Sequence, residues 1–382
     1  MGFHEFSSPY DWSRIAAYKR TAKAAFGGMI DLSVGSPVDP VPDSVRKALA
    51  VAANDPNAYG YPATAGTADL RAAIAEWFSA TRNVDLQAIH ADVVPTVGSK
   101  EGVALMASLL HFGEDDVVVQ PKVSYPTYEI GTQLAGAQVL KVDDVADVAS
   151  WRNVPGVKAV WVNSPCNPTG EVYSAERMAG IVAAAREIGA VVLSDECYAL
   201  MQWRGATNSA DDDPLQSTPC ALRSDVCAGS AEGVLVLYSL SKQSNMAGYR
   251  TAFIAGDESL IASMSAYRKQ IGQIIPGPVQ AAMAAGLRDL ESVKVQHARY
   301  RERLGVLVSA LRAYGYCTDM PDGALYVWVR AKSGDCWTDM EQLAKIGIIA
   351  SPGEFYGAPE CLRFSATASD EAIASAAERL AC

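Results

Sequence analysis

The sequence predicts an α/β fold, in which a large domain with a mostly parallel sheet is accompanied by a smaller α+β domain. From about residue 43 to 272, short apolar runs alternate with amphipathic segments, a pattern typical of a sheet covered by helices on both faces. Beyond residue 272, long helical periodicity leads to an alternating strand at 325–329. The chain has 382 residues, 49% of them hydrophobic, which is enough for two domains. We therefore expect a large domain over 43–272 and a small domain formed by 1–42 and 273–382.

The strands predicted in the large domain are apolar runs that end in glycine, proline or polar residues. They are Asp92–Val97, Asp116–Gln120, Gln138–Leu140, Val157–Asn163, Ala190–Asp195, Val234–Leu237 and Thr251–Gly256.

Helices are predicted between these strands from their periodicity and their start signals. Pro40 and Pro42 open the first of them, Gly98 precedes another, and Ser174 caps a third. In the C-terminal region we expect helices over about 258–271, 279–290 and 292–314, and a last helix capped by Ser369. The polar segment 204–232 is predicted to be a surface excursion, and its sequence suggests no role.

Composition excludes several classes of function. The net charge of −11 and the absence of basic clusters argue against nucleic acid and anionic membranes as partners. The eight cysteines form no C-x-x-C pair and the four histidines are scattered, so we expect no metal site and reduced thiols. Without a signal core or a membrane-length apolar run, the chain is expected to be cytoplasmic.

The segment that follows the predicted strand Val234–Leu237 carries the most distinctive chemistry. It presents Ser239, Ser241 and Lys242, and then Arg250 after an Ala-Gly pair. A lysine amine can attack a carbonyl to form a Schiff base. Hydroxyls and an arginine suit a phosphate. An aldehyde together with a phosphate describes pyridoxal 5'-phosphate.

The other candidate residues each follow the carboxyl end of a predicted strand. This is the part of an open α/β sheet where ligands bind. The candidates are the Gly98-Ser99-Lys100 turn, Tyr125, Asn167, Asp195 and Tyr198, together with the serines, Lys242 and Arg250. A glycine turn that leads into a helix is an anion site. A buried Asp195 would require a cation or a protonated nitrogen as its partner.

The motifs Asn167-Pro-Thr-Gly170, Ser194-Asp-Glu-Cys-Tyr198 and Ser239-Leu-Ser-Lys242, followed by Gly248-Tyr-Arg250, resemble those of the fold-type I pyridoxal-phosphate enzymes of aminotransferase class I/II. The resemblance covers nearly the whole chain and implies an aspartate aminotransferase-like fold. It also implies a role for each candidate. Lys242 would be the Schiff-base lysine and proton shuttle, and Asp195 would pair with the pyridine nitrogen. Asn167 and Tyr198 would contact the ring oxygen, and Tyr125 would stack on the ring. The phosphate would be held by Ser99, Lys100 (through its backbone), Ser239, Ser241 and Arg250.

For the substrate and the subunit partner, the resemblance implies three further residues. Arg363 would bind the substrate α-carboxylate, with Gly35 closing over it. Tyr61 is similar to a tyrosine that reaches the phosphate of a neighbouring subunit, which implies a homodimer with shared active sites.

Three stretches most resemble N-succinyldiaminopimelate aminotransferases of actinobacterial type: 31–42, 61–66 and 239–245. These enzymes exchange an amino group between glutamate and a succinylated keto acid on the route to diaminopimelate and lysine. The chain has Gln243 beside Lys242, where the resemblance predicts a basic residue. This difference concerns how the distal carboxylates of the substrate would be bound.

Three alternatives stay open at this point. Another class I aminotransferase, acting on aspartate, alanine or aromatic amino acids, would share every catalytic residue. A pyridoxal-phosphate β-lyase would share the cofactor site. A regulator with an aminotransferase-like sensor domain would require a DNA-binding segment, and the sequence shows no basic helix-turn-helix.

Overall fold

The computed structural model describes residues 11–56, 58–203, 215 and 218–381. The first ten residues, which the sequence assigns to an N-terminal arm, and most of the 204–217 part of the polar excursion lie outside the described residues.

The described strands run in chain order as follows: β1 Ile30–Asp31, β2 Ala91–Val97, β3 Val117–Pro121, β4 Gln138–Val142, β5 Val157–Asn163, β6 Val191–Asp195, β7 Val234–Ser239, β8 Thr251–Asp257, β9 Tyr326–Arg330, β10 Ile348–Ile349, β11 Ser351–Pro352 and β12 Cys361–Ser365.

The described α-helices are α1 Trp12–Ala24, α2 Asp43–Ala53, α3 Ala68–Trp77, α4 Ser99–Leu109, α5 Thr127–Leu134, α6 Ala175–Glu187, α7 Ser224–Cys227, α8 Leu240–Gln243, α9 Glu258–Gln270, α10 Gly277–Arg288, α11 Leu290–Ala313, α12 Cys336–Lys345 and α13 Asp370–Leu380.

The described chain divides into two compact units. The large unit comprises residues 37–301 and 321–324, and the small unit comprises the described residues of 1–36, 302–320 and 325–382. None of the helices within the described residues combines the length and the apolar composition needed to span a bilayer.

A seven-stranded sheet forms the centre of the large unit, with the order β2-β8-β7-β6-β5-β3-β4. Every adjacent pair from β7 to β4 is parallel, whereas β8 is antiparallel to both of its neighbours. The α/β class predicted from the alternating apolar runs is therefore confirmed.

The apolar runs of the strands supply two cores, one on each face of the sheet. Along β7, Val234 and Val236 join one cluster, while Leu235 and Leu237 join the other. Because side chains alternate across a strand, a strand buried on both faces must be apolar at every position. This is why these strands appear in the sequence as continuous apolar runs.

The small unit is built on a second, antiparallel sheet with the order β11-β12-β9. A short parallel pair joins β1 to β10, so that the segment after α1 meets the C-terminal region. Helix α13 begins at its N-cap Ser369, whose side chain accepts from the N–H of Ala372, as the sequence predicts.

Candidate active site

One edge of the large sheet collects the carboxyl ends of its parallel strands. Asn163 at the end of β5 is in register with Asp195 at the end of β6. Ser239 ends β7, and Val97 ends β2. Since β8 runs in the opposite direction, its first residue, Thr251, lies at the same edge.

Arg250 reaches this edge differently from the way we predicted. It precedes the amino end of β8 and does not follow a strand's carboxyl end. The antiparallel direction of β8 still brings it beside the end of β2, where its Nη2 lies 3.4 Å from the carbonyl oxygen of Val97.

Asp195 is a buried carboxylate held by two neutral donors. The hydroxyl of Tyr128 donates to its Oδ2 at 2.7 Å, and the N–H of Cys197 donates to its Oδ1 at 3.2 Å. Burial raises the pKa of Asp195, and these hydrogen bonds oppose that rise. Such a carboxylate is suited to a protonated ring nitrogen, which would supply the missing positive charge.

Tyr128 was missed by sequence reasoning, which considered its neighbour Tyr125. Tyr128 is fully buried and stacks on Trp161, with ring centroids 4.5 Å apart. Burial raises its pKa well above the usual value, so the phenol stays a neutral donor. Tyr125 is half-buried and meets Tyr128 edge to face at 5.7 Å. The available signal was a second aromatic ring three residues after Tyr125, in the first turn of α5.

Asn163 is a second residue whose role the sequence did not reveal. Its amide Nδ2 donates to the carbonyl oxygen of Asp195 at 2.9 Å, and its Oδ1 accepts from the N–H of Asn167 at 2.8 Å. Asn163 thus ties the turn that carries Asn167 to the end of β6. Asn167 itself is buried, and its bond to Pro168 is cis.

Lys242 lies in the short helix α8, directly after β7. Ser239 caps this helix, since its Oγ accepts from the N–H of Ser241 at 3.1 Å. Lys242 is half-buried. Burial raises the pKa of the Cys197 thiol well above its usual value, and the nearby charge of Lys242 opposes that rise. Since β7 pairs with β6 and is joined through β8 to β2, Lys242, Asp195 and the α4 turn follow strand ends at the same edge of the sheet.

The joint between β2 and α4 has the features of an anion site. Gly98 has a φ of 78°, and a Cβ added there would lie 2.6 Å from the guanidinium carbon of Arg250. Ser99 begins α4, so the first N–H groups of that helix lack intrahelical acceptors. A guanidinium beside these groups fits the phosphate of pyridoxal 5'-phosphate. Lys100 is exposed, which is compatible with a role for its backbone alone.

Asp195, the last residue of β6, and Glu196, directly after it, have different surroundings. Glu196 is fully buried and forms an ion pair with the equally buried Arg82. Its Oε1 also accepts from the hydroxyl of Ser194 at 2.9 Å and from the N–H of Ala221 at 2.8 Å. Glu196 is therefore satisfied within the protein. Tyr198, which follows, is buried as well.

Gln243 and Tyr61 have opposite surroundings. The amide of Gln243 is buried, where it accepts from the hydroxyl of Tyr238 at 2.7 Å and lies 3.3 Å from the carbonyl oxygen of Gly286. Its side chain is engaged in these internal contacts. Tyr61 is fully exposed in the described chain.

Gly35 and Arg363 meet in the small unit through Tyr326, which the sequence analysis placed in a strand without a role. The guanidinium of Arg363 lies 4.0 Å above the Tyr326 ring and 4.8 Å from the Tyr356 ring. Its Nη2 donates to the carbonyl oxygen of Ser33 at 2.8 Å. A Cβ at Gly35 would lie 3.0 Å from the Tyr326 ring. These contacts fix the position of Arg363.

Comparison with known proteins identifies the family. The family model "Aminotransferase class I and II" matches residues 27–380. The chain belongs to this family. Its members depend on pyridoxal 5'-phosphate, whose protonated ring withdraws electrons from the carbon that carries the amino group. The predicted cofactor and the predicted transaminase activity are thereby confirmed.

Three relatives illustrate how close the aminotransferase is to proteins of different specificity. It is 40% identical to the 4-dedimethylamino-4-oxo-anhydrotetracycline transaminase OxyQ of Streptomyces rimosus, over 97% of this chain and 98% of that protein. A probable N-succinyldiaminopimelate aminotransferase of Thermus thermophilus is 27% identical, with a TM-score of 0.84 over 97% and 99% of the two chains. An aspartate aminotransferase mutant of Thermus thermophilus, 24% identical, has a TM-score of 0.83 over 99% of each chain, which confirms the predicted fold.

Proposed function

We propose that this aminotransferase exchanges an amino group between glutamate and a 2-oxo acid, and that the second substrate is the N-succinylated keto acid of the diaminopimelate and lysine route. The observation that carries the first part is the shared edge at which Asp195, Lys242 and the Gly98 turn lie, at the ends of β6, β7 and β2. The similarity to the probable N-succinyldiaminopimelate aminotransferase supports the second part.

In this proposal the residues of the chain divide the work. Lys242 binds the cofactor and moves a proton between two carbons. Asp195 holds the proton on the ring nitrogen, while Asn167 and Tyr198 donate to the ring oxygen. Tyr125 covers the ring.

The phosphate and the substrate are held by two further groups of residues. The phosphate is bound by Ser99, the Lys100 backbone, Ser239, Ser241 and Arg250. Arg363 binds the α-carboxylate of the substrate, and Gly35 lies over it.

We further propose that the protein is a homodimer in which Tyr61 contacts the phosphate in the neighbouring subunit. The complete exposure of Tyr61 within the described residues supports this, because an exposed tyrosine ring gains by burial against a partner. The cytoplasmic location stays a prediction.

A second candidate is the amination of a polycyclic ketone. It is favoured by the 40% identity to the OxyQ transaminase, which is named for an oxo-anhydrotetracycline. The two candidates differ in the second substrate and share the cofactor site.

The test begins with an absorbance spectrum of the purified protein loaded with pyridoxal 5'-phosphate. We expect a visible band that disappears when glutamate is added, and also when N-succinyl-diaminopimelate is added to a fresh sample. Loss of the band with glutamate alone would exclude the lysine-route substrate, and an oxo-anhydrotetracycline would then be tried as acceptor. Lys242→Ala should stay folded and show neither the band nor turnover, whereas Lys158→Ala, an exposed lysine of β5, should behave as wild type.

A further inference from the structure

A fully buried arginine lies behind the proposed phosphate site. Arg268 belongs to α9, and its side chain has no exposed surface. Its Nη1 lies 2.9 Å from Oε1 and 3.2 Å from Oε2 of Glu101. Within the described residues, its Nε and Nη2 are buried without a hydrogen-bond partner. A guanidinium that is buried at such cost is held in place mainly by its contact with Glu101.

Glu101 connects this arginine to the turn that would bind the phosphate. It is the third residue of α4, which begins at Ser99. It stands three residues after Gly98, which the Arg250 guanidinium approaches closely. Burial raises the pKa of Glu101, and Arg268 provides the largest opposing effect. Glu101 therefore lies in the first turn of α4, beside the Gly98 joint that Arg250 approaches, and its carboxylate is paired with Arg268.

In this arrangement the Glu101 carboxylate would repel a bound phosphate, and Arg268 would reduce that repulsion. A phosphate and a carboxylate near the same turn repel each other, and both attract Arg250. If Glu101 were unneutralised, it would compete with the phosphate for that guanidinium. Its ion pair with Arg268 offsets that charge.

We propose, on the basis of the function proposed above, that Arg268 is a positioning residue, which neutralises Glu101 and so leaves Arg250 and the N-terminus of α4 available to the cofactor phosphate. Arg268 would have no contact with the phosphate itself. Its effect would depend on the presence of the Glu101 carboxylate, and that dependence distinguishes it from a direct ligand.

The test compares two ligands that differ in the phosphate alone. Dissociation constants of pyridoxal 5'-phosphate and of pyridoxal are measured by absorbance titration of the cofactor-free protein. In Arg268→Met we expect about tenfold weaker binding of pyridoxal 5'-phosphate, equivalent to about 1.4 kcal/mol, and unchanged binding of pyridoxal. Glu101→Gln should bind the phosphorylated ligand as well as wild type or better. The double variant should recover most of the affinity that Arg268→Met loses.

The matched control is the exposed pair of Arg152 and Glu187, 3.0 Å apart, whose substitution by Met and Gln should leave both constants unchanged. Equal weakening of both ligands in Arg268→Met, or a double variant as weak as the single one, would overturn the proposal. If Arg268→Met does not fold, Glu101→Gln decides, because a tenfold loss there contradicts the proposed repulsion. Failure of the proposed function would look different, since glutamate or N-succinyl-diaminopimelate would then leave the wild-type band in place while wild-type cofactor binding stayed normal.

Discussion

The Asp195 carboxylate illustrates how single residues are adapted to the cofactor. It is buried and held by uncharged donors, so its negative charge is incompletely compensated by the described chain. A protonated ring nitrogen would complete the site. Burial makes the uncompensated carboxylate unfavourable, and a protonated ring nitrogen would relieve this. The environment of Asp195 would therefore contribute to the affinity for the cofactor.

Tyr128→Phe removes one of the two donors and tests this balance. The hydroxyl stabilises the ionised carboxylate, so its loss should raise the pKa of Asp195 further. Because cofactor binding requires the ionised form, the decline of affinity on the acid side should move to higher pH in the variant. Dissociation constants of pyridoxal 5'-phosphate between about pH 5 and 8 give the answer.

Tyr173→Phe is the control, since Tyr173 is buried but packs on Arg177. If the acid-side decline of cofactor affinity in Tyr128→Phe occurs at the same pH as in wild type, or at lower pH, Tyr128 does not stabilise the ionised Asp195 carboxylate.

Arg363→Ala tests the predicted substrate residue. The fork of this guanidinium would bind the α-carboxylate that both amino-acid substrates share, so we expect KM to rise about ten- to hundredfold for each. Arg330→Ala, at an exposed position of the adjacent strand β9, should leave both values unchanged. Steady-state kinetics with each substrate varied in turn is the measurement, and a rise for one substrate alone would mean that another arginine binds the α-carboxylate.

At the scale of elements, the joint between β2 and α4 depends on its glycine. Gly98 combines a left-handed φ with a close approach of the Arg250 guanidinium, and each of these excludes a side chain. The same turn presents the N-terminus of α4.

Gly98→Ala should therefore weaken the binding of pyridoxal 5'-phosphate, because the methyl group displaces Arg250, and should lower the unfolding free energy by about 1–2 kcal/mol through backbone strain. Titration and urea unfolding measure the two effects. Gly113→Ala is the matched control, since an added Cβ there meets nothing within 4 Å. Unchanged cofactor affinity in Gly98→Ala would contradict the assigned position of the phosphate.

The elements were the part of the structure that the sequence predicted best. Runs such as Val234–Leu237 are recognisable in the sequence because strands buried on both faces contain no polar interruption. The direction of β8 was not predictable, because direction is set by which strands pair, and its partners are distant in sequence. The contact of Tyr128 with Asp195 spans 67 residues and was missed for the same reason.

For the whole molecule, distant segments are held together by buried polar contacts as well as by the two cores. Arg82 and Glu196 are 114 positions apart, and neither side chain has any exposed surface. Arg82 also donates to the carbonyl oxygen of Thr218 at 2.8 Å. The pair joins the segment after α3 to the end of β6, beside Asp195.

Arg82→Met should lower the unfolding free energy by about 3–5 kcal/mol, because it leaves the Glu196 carboxylate buried without its cation. Arg152→Met, which breaks an exposed pair, should cost about 0–1 kcal/mol. Urea unfolding of the cofactor-free protein measures both. Similar losses in the two variants would mean that the buried pair contributes no more than a surface contact.

The antiparallel insertion of β8 between β2 and β7 has a consequence during synthesis. Strand β2 is at an edge of the sheet, so β8 is its single partner in the described structure, and Val97 is separated from its partner Thr251 by 154 residues. At about 5–20 residues per second, a ribosome requires on the order of 10–30 s to make the intervening chain. Throughout that interval the nascent polypeptide carries β2 with both edges open, and such strands are the segments that chaperones must shield from aggregation.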